Sequence, residues 1–184
     1  MIFFAQEHIG NKQMIKRAQA HFPELYQSRL KAKASPKHSL VARFLVSQLA
    51  KQHFSLSDFF PESDSENRPL PRKNVLFWSA SYSGDTIFAA ISQKPIGIDV
   101  ENIRPRSETL LSWFSPEEYK EAPSWKIFYQ LWTKKEAVLK RFGSGVDEMS
   151  LIQKISDNQY GFQGKICTTK SVFLAENLIF SFAV

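Results

Sequence analysis

Long apolar runs are missing from this chain. The stretch at residues 2–5 is far too short for a membrane span or the core of a signal peptide, so neither is expected. Cysteine is nearly absent too: Cys167 stands alone, which excludes an internal disulfide and points to a cytoplasmic setting. No short-period repeat and no low-complexity tract occurs. Acidic residues are scarce in one half only. Residues 1–94 hold 13 Lys+Arg against 7 Asp+Glu, whereas residues 95–184 hold 11 of each, so the first half carries the whole net charge of +6. Such an excess suits an anionic ligand or an acidic partner, or equally a solvated basic surface.

What is present is enough for a folded core. With 184 residues and 43% hydrophobic composition, the chain has the size of one domain or two small halves, and no disordered class fits. A strand is predicted at 2–5, then a helix capped by Asn11 that turns Met14, Ile15 and Ala18 inward, and a second helix from Pro23. Ser35-Pro36 reads as an N-cap with proline at the first helical position, opening a helix with Leu40, Val41, Phe44, Leu45 and Leu49 inward. Projection at about 100° per residue puts Lys37 and His38 on the apolar side and Arg43 opposite, in solvent. Lys37 and His38 then sit at the positive end of a helix dipole and form a candidate phosphate site, the alternative being a helix end without a ligand.

Residues 55–74 read as a loop, followed by strand-like runs at 75–83, 86–92 and 95–101. Two-residue hairpins between them would set Asp99 opposite Phe88 and Phe88 opposite Ser81. Ser115-Pro116-Glu117-Glu118 predicts a helix start by a capping box, Trp113 and Phe114 are expected in the core, and a further helix from about Trp125 ends near Phe142 before Gly143. The tail alternates apolar and polar at 150–156, 160–168, 171–175 and 178–184, as antiparallel strands do. Helices, strands, helices, strands in that order argue for an α+β fold with antiparallel sheets.

Chemistry concentrates in two stretches. The run I-G-I-D-V-E at 96–101 points Asp99 and Glu101 to one side of a strand, although an acidic pair on a solvent face is by itself commonplace. The run L-W-T-K-K-E-A-V-L-K at 131–140 is helical and offers a third carboxylate, Glu136, four residues after Trp132 and four before Lys140. Three hard oxygen donors are what Mg²⁺ prefers when it is shared with substrate phosphates, and Lys135 and Lys140 would complement those phosphates.

G-I-D-V-E at 97–101 with W-T-K-K-E-A-V-L-K at 132–140 resembles the Sfp-type 4'-phosphopantetheinyl transferases, of the holo-[acyl-carrier-protein] synthase superfamily, whose pattern is G-x-D-x-E then W-x-x-K-E-x-x-x-K. Arg68-Pro69 resembles the family's Lys-Pro step, and S-A-S-Y-S-G at 79–84 its N-x-S-H-S-G segment, so the resemblance runs from about residue 67 to about residue 145. It implies two similar α+β halves as a pseudo-dimer, here 1–97 and 98–184, with the active site in the cleft between them. It implies Mg²⁺ held by Asp99, Glu101 and Glu136, with coenzyme A contacted by Lys37, His38, Arg68, Ser81, Tyr82, Lys135 and Lys140. His38 stands near the position of a coenzyme A-binding arginine, and Tyr82 replaces a histidine associated with the 3'-phosphate.

The implied reaction moves 4'-phosphopantetheine from coenzyme A to a serine of an apo acyl or peptidyl carrier protein, itself acidic, and releases adenosine 3',5'-bisphosphate. Glu136 is the candidate general base, with Asp99 and Lys140 beside it. A monomer is expected, with neither nucleic acid nor membrane as partner. Three alternatives stand: a coenzyme A-binding homologue with weakened catalysis, to which Ser79 and Tyr82 point; a basic binding module for nucleic acid or acidic protein, against which no nucleic-acid motif appears; and a different Mg²⁺-dependent phosphoryl or nucleotidyl transferase.

Overall fold

The computed structural model describes residues 1–30, 36–73, 75–119 and 124–184, and their order of elements is α+β with antiparallel sheets. The chain divides into two compact units, Met1–Pro95 and Ile96–Val184. Ser35, assigned above as an N-cap, lies outside the described residues.

In the first unit β1 (Ile2–His8) leads to α1 (Lys12–His21), α2 (Pro23–Leu30) and α3 (Pro36–Phe54), followed by β2 (Phe77–Ser83) and β3 (Thr86–Ser92). Asn11 caps α1 as its side chain predicts, Oδ1 accepting from the Met14 N–H at 3.1 Å. Gly84, at φ +56, makes the two-residue turn between β2 and β3, and the hairpin register sets Ser81 opposite Phe88.

Two expectations fail here. Residues 40–46 of α3 are buried without interruption, so the helix has no solvent face along its middle from which to project sides. Arg43 is accordingly not solvated but 5% exposed, its guanidinium 5.3 Å from the Trp78 ring and bonded to Ser39 Oγ and Ser63 Oγ, whereas Lys37 is exposed. A buried guanidinium needs hydrogen-bond acceptors, and the two hydroxyls meet that need.

The other failure concerns strand order. The third strand-like run becomes β4 (Gly97–Asn102) and pairs with β8 (Leu178–Ala183), not with β3. Asp99 therefore does not face Phe88. The edge of β3 assigned to it is filled along its whole length by β1, from Ile2 opposite Ser92 to His8 opposite Thr86, giving the order β1-β3-β2.

The second unit continues from β4 into α4 (Trp125–Phe142), β5 (Gln153–Ser156), β6 (Gln159–Phe162), β7 (Lys165–Ala175) and β8, in the sheet order β4-β8-β7-β6-β5. The expected run 160–168 is divided by Gln163 and Gly164, both at positive φ, and the run 171–175 is simply the end of β7. The capping box closes one turn, with Glu118 Oε2 accepting from Ser115 N at 3.1 Å, but residues 115–119 form no helix. Phe114 is buried as expected, whereas Trp113 is 57% exposed. The second unit reuses the connectivity of the first: its opening strand pairs antiparallel with its last, the last pairs with the strand before it, and a long helix packs on the opening strand.

Candidate active site

α4 supplies most of the site, and its ends are set locally. Ser124 Oγ accepts from the Ile127 N–H, and Gly143, in the left-handed region at φ +68, closes the C-terminus. Between Leu131 and Leu139 every residue is buried except Trp132 and Glu136, and half-buried Lys140 follows four residues later. The spacing 132, 136, 140 is one stripe of the helix, so the motif residues occupy the strip that the core leaves uncovered.

β4 lies under this helix because its first residue has no side chain. A Cβ on Gly97 would stand 1.9 Å from the Ala137 carbonyl oxygen and 2.4 Å from the Arg141 nitrogen, both backbone atoms that cannot move aside. The glycine of G-I-D-V-E is thus a packing requirement. Asp99 follows two residues on and projects to the same side, where Lys140 Nζ lies 2.6 Å from its Oδ1.

The electrostatics tie the four groups together. Burial pushes the Glu136 carboxyl above the usual range; Lys140 pulls it back, and Asp99 and Glu101 push it up again. For Lys140, burial opposes the charged form most strongly, yet Asp99, Glu136 and Glu101 together outweigh it and hold the ammonium above its ordinary pKa. The Lys140 ammonium thus lies within the electrostatic reach of three carboxylates, Asp99, Glu101 and Glu136. Among the described residues no group of three or more His, Cys, Asp or Glu side chains is arranged to hold a metal ion.

Each of the remaining candidates has its surroundings in its own unit. Lys135 is 4% exposed, with Nζ 2.5 Å from Glu118 Oε1 and 5.0 Å from the centre of the Phe114 ring, so its charge is spent inside the fold. Trp132 packs, its ring 5.9 Å from Phe128 and 5.5 Å from Trp113. In the first unit, Arg68 bridges Asp64 at 2.7 Å and Glu66 at 3.1 Å within its own loop. Ser81 is buried on β2, on the face opposite Tyr82. Tyr82 is 45% exposed and its ring lies 4.7 Å from that of His38, whose Nε2 is 3.0 Å from the Gly84 carbonyl oxygen.

Glu118 and Ser181 are contributors that motif reading did not single out. The capping-box pattern drew notice to Glu118 as a cap, and nothing in the sequence pairs it with Lys135. Ser181 gave no signal, because its place across from Asp99 depends on strand pairing between residues 82 positions apart.

Comparison with known proteins agrees with the motif pattern. The family model described as the 4'-phosphopantetheinyl transferase superfamily matches residues 95–176. The chain is 28% identical over 120 residues to 4'-phosphopantetheinyl transferase psf-1 of Bacillus pumilus, covering 60% of this chain and 52% of that protein. It is 33% identical over 84 residues to a 4'-phosphopantetheinyl transferase of Bacillus subtilis (42% and 38% covered), and 33% over 106 residues to 4'-phosphopantetheinyl transferase HetI of Nostoc sp. (49% and 45%). The chain spans about half the length of the curated relatives it matches.

Proposed function

We infer that the protein transfers 4'-phosphopantetheine from coenzyme A to a serine hydroxyl of an apo acyl or peptidyl carrier protein, a reading supported by the match of residues 95–176 to the family model of the 4'-phosphopantetheinyl transferase superfamily. The observation that carries it is the uncovered stripe of α4, which brings Glu136 and Lys140 to Asp99 on β4. The chemical problem is attack by a neutral alcohol on a doubly charged diphosphate. The serine oxygen forms a bond to the phosphorus of the pantetheine-bearing phosphate while the bond from that phosphorus to the bridging oxygen breaks, and adenosine 3',5'-bisphosphate departs with the electron pair. Glu136 accepts the serine proton, a role suited to a carboxyl whose surroundings raise its basicity. Lys140, at the end of the stripe, meets the negative charge of the diphosphate.

The carboxylates suit Mg²⁺ by charge and donor type, since all three are hard oxygen ligands, and Glu136 is raised first by burial and then, against the pull of Lys140, by Asp99 and Glu101. Asp99, Glu101 and Glu136 would hold the ion, which when bound supplies charge neutralisation at the diphosphate. Lys135 would support the helix through Glu118 rather than meet phosphate, since its ammonium is buried in that pair. On the coenzyme side, Lys37, Ser81 and the neighbouring His38 and Tyr82 rings are the groups we assign to the adenosine 3'-phosphate end, with Arg68 contributing only if it leaves Asp64 and Glu66. The same proposal includes the two similar halves about a shared cleft that the resemblance implies, action as a monomer and a cytoplasmic setting. Among the described residues no helix is long and apolar enough to cross a membrane.

Incubating the protein with coenzyme A, Mg²⁺ and a panel of apo carrier proteins, then measuring intact carrier mass, tests the assignment. Addition of one phosphopantetheine group is expected. Tyr82 at the histidine position favours a second reading, a coenzyme A-binding homologue with weakened catalysis, which would bind coenzyme A by calorimetry while leaving every carrier unmodified.

A further inference from the structure

Asp99, Ser181 and Ser171 lie directly opposite one another across β4, β8 and β7, so their side chains form one row on one face of the sheet. α4 lies on that face, and besides the Lys140–Asp99 pair Thr133 joins it to the row: its Oγ1 is 2.6 Å from Ser181 Oγ, which in turn is 2.8 Å from Ser171 Oγ. Thr133 and Ser181 are both 0% exposed. Each hydroxyl has a single proton to give. Thr133 donates to the Tyr129 carbonyl at 2.8 Å, an oxygen that can only accept. Ser181 must therefore donate to Thr133, and Ser171 to Ser181. The chain of donors is complete only when α4 sits at one place along the sheet, and a slide along its axis would strand buried hydroxyls where no water reaches.

Apolar packing tolerates such a slide far better than directional bonds do. Thr133, Ala137 and Lys140 follow one another at spacings of four and three residues, so the part of the helix fixed at Thr133 lies two turns from the Asp99–Lys140 pair. We propose that the buried Thr133–Ser181 hydroxyl pair is a positioning device that fixes where α4 lies along β4 and β8, and with it the meeting of Glu136 and Lys140 with Asp99. Only its catalytic consequence rests on the transferase reading.

The test is a stability cycle that does not depend on turnover. Asp99→Asn, Lys140→Met and the double variant are unfolded with urea in three backgrounds: wild type, Thr133→Val and Thr133→Ser. The coupling between Asp99 and Lys140 should fall by roughly half or more in Thr133→Val and persist in Thr133→Ser, which keeps the hydroxyl. Ser181→Ala removes the same bond from the sheet side and should act like Thr133→Val, whereas Ser171→Ala, at the donor end of the chain, should preserve the coupling. Undiminished coupling in folded Thr133→Val or Ser181→Ala overturns the proposal, and so does its loss in Thr133→Ser. These outcomes are readable whether or not the protein modifies a carrier, which separates failure here from failure of the transferase assignment. In the active protein Thr133→Val should lower kcat about tenfold with KM for coenzyme A within about twofold; a folded Thr133→Val with full turnover contradicts the proposal.

Discussion

Asp99 and Glu136 are both acidic, yet they stand in opposite relations to stability. Asp99 hydrogen-bonds the Lys140 ammonium, so Asp99→Asn removes the charge closest to that cation and should lower the melting temperature. The Glu136 carboxyl is raised by burial above all, and Asp99 and Glu101 add to that against the pull of Lys140. Without divalent cation, Glu136→Gln should therefore melt at or above wild type near neutral pH, where the wild-type carboxylate is being forced to ionise. Both variants should lose transfer by about a hundredfold or more, because each removes charge aimed at the reacting groups. A Glu136→Gln protein that melts well below wild type would contradict that account, and near-normal transfer by either folded variant would remove that residue from the mechanism.

Tyr82 poses a second question at the same scale. A tyrosine can give a phosphate only a neutral hydrogen bond, whereas a histidine there can carry charge. Discrimination between coenzyme A and dephospho-coenzyme A should therefore be weak in wild type and stronger in Tyr82→His. The neighbouring His38 adds a control: Lys37 and His38 replaced together by alanine should raise KM for coenzyme A about tenfold with little change in melting temperature, as expected for one charge-assisted contact. If wild type already rejects dephospho-coenzyme A and neither change matters, the 3'-phosphate is held elsewhere.

At the scale of elements, the close approach of α4 and β4 depends on Gly97. Gly97→Ala forces a methyl into the Ala137 carbonyl and the Arg141 nitrogen, so helix or strand must shift, at a cost of about 1–3 kcal/mol for overpacking of this kind. The same shift should slow transfer, since it separates Lys140 and Glu136 from Asp99. Denaturant unfolding of Gly97→Ala checks it, and wild-type stability would show that the backbone gap is wider than described. Elements whose cause is local were legible in the sequence: the Asn11 cap, the Gly143 stop and the Gly84-Asp85 hairpin, whose register set Ser81 opposite Phe88. Strand order was not, because the Gln93-Lys94 link reads as a hairpin until β1, some 90 residues earlier in sequence, is seen to fill the edge of β3. Arg43 was misplaced for a related reason: a helix projection assumes a solvent face, and α3 has none along residues 40–46.

For the molecule as a whole, the chemistry was more legible than the architecture that delivers it. Asp99, Glu136 and Lys140 meet because a two-residue strand period and a four-residue helix period each put motif residues on one side, and periods can be read from spacing alone. What escaped was pairing with partners remote in sequence, Lys135 with Glu118 and Ser181 with Thr133, together with the loop-local pairing of Arg68 with Asp64 and Glu66. The charge asymmetry between the halves has its consequence at this scale, for on the proposed function coenzyme A and an acidic carrier would both bring negative charge to a protein of net +6. The central claim is group transfer from coenzyme A at the Asp99–Glu136–Lys140 cluster. It is tested most directly by following, in one reaction, intact carrier mass and nucleotide release for wild type and Glu136→Gln. The account predicts one adenosine 3',5'-bisphosphate released for each phosphopantetheine gained by the carrier with wild type, and neither product above background with Glu136→Gln. Carrier modification at the wild-type rate by Glu136→Gln, or coenzyme A consumed with no gain in carrier mass, would contradict it.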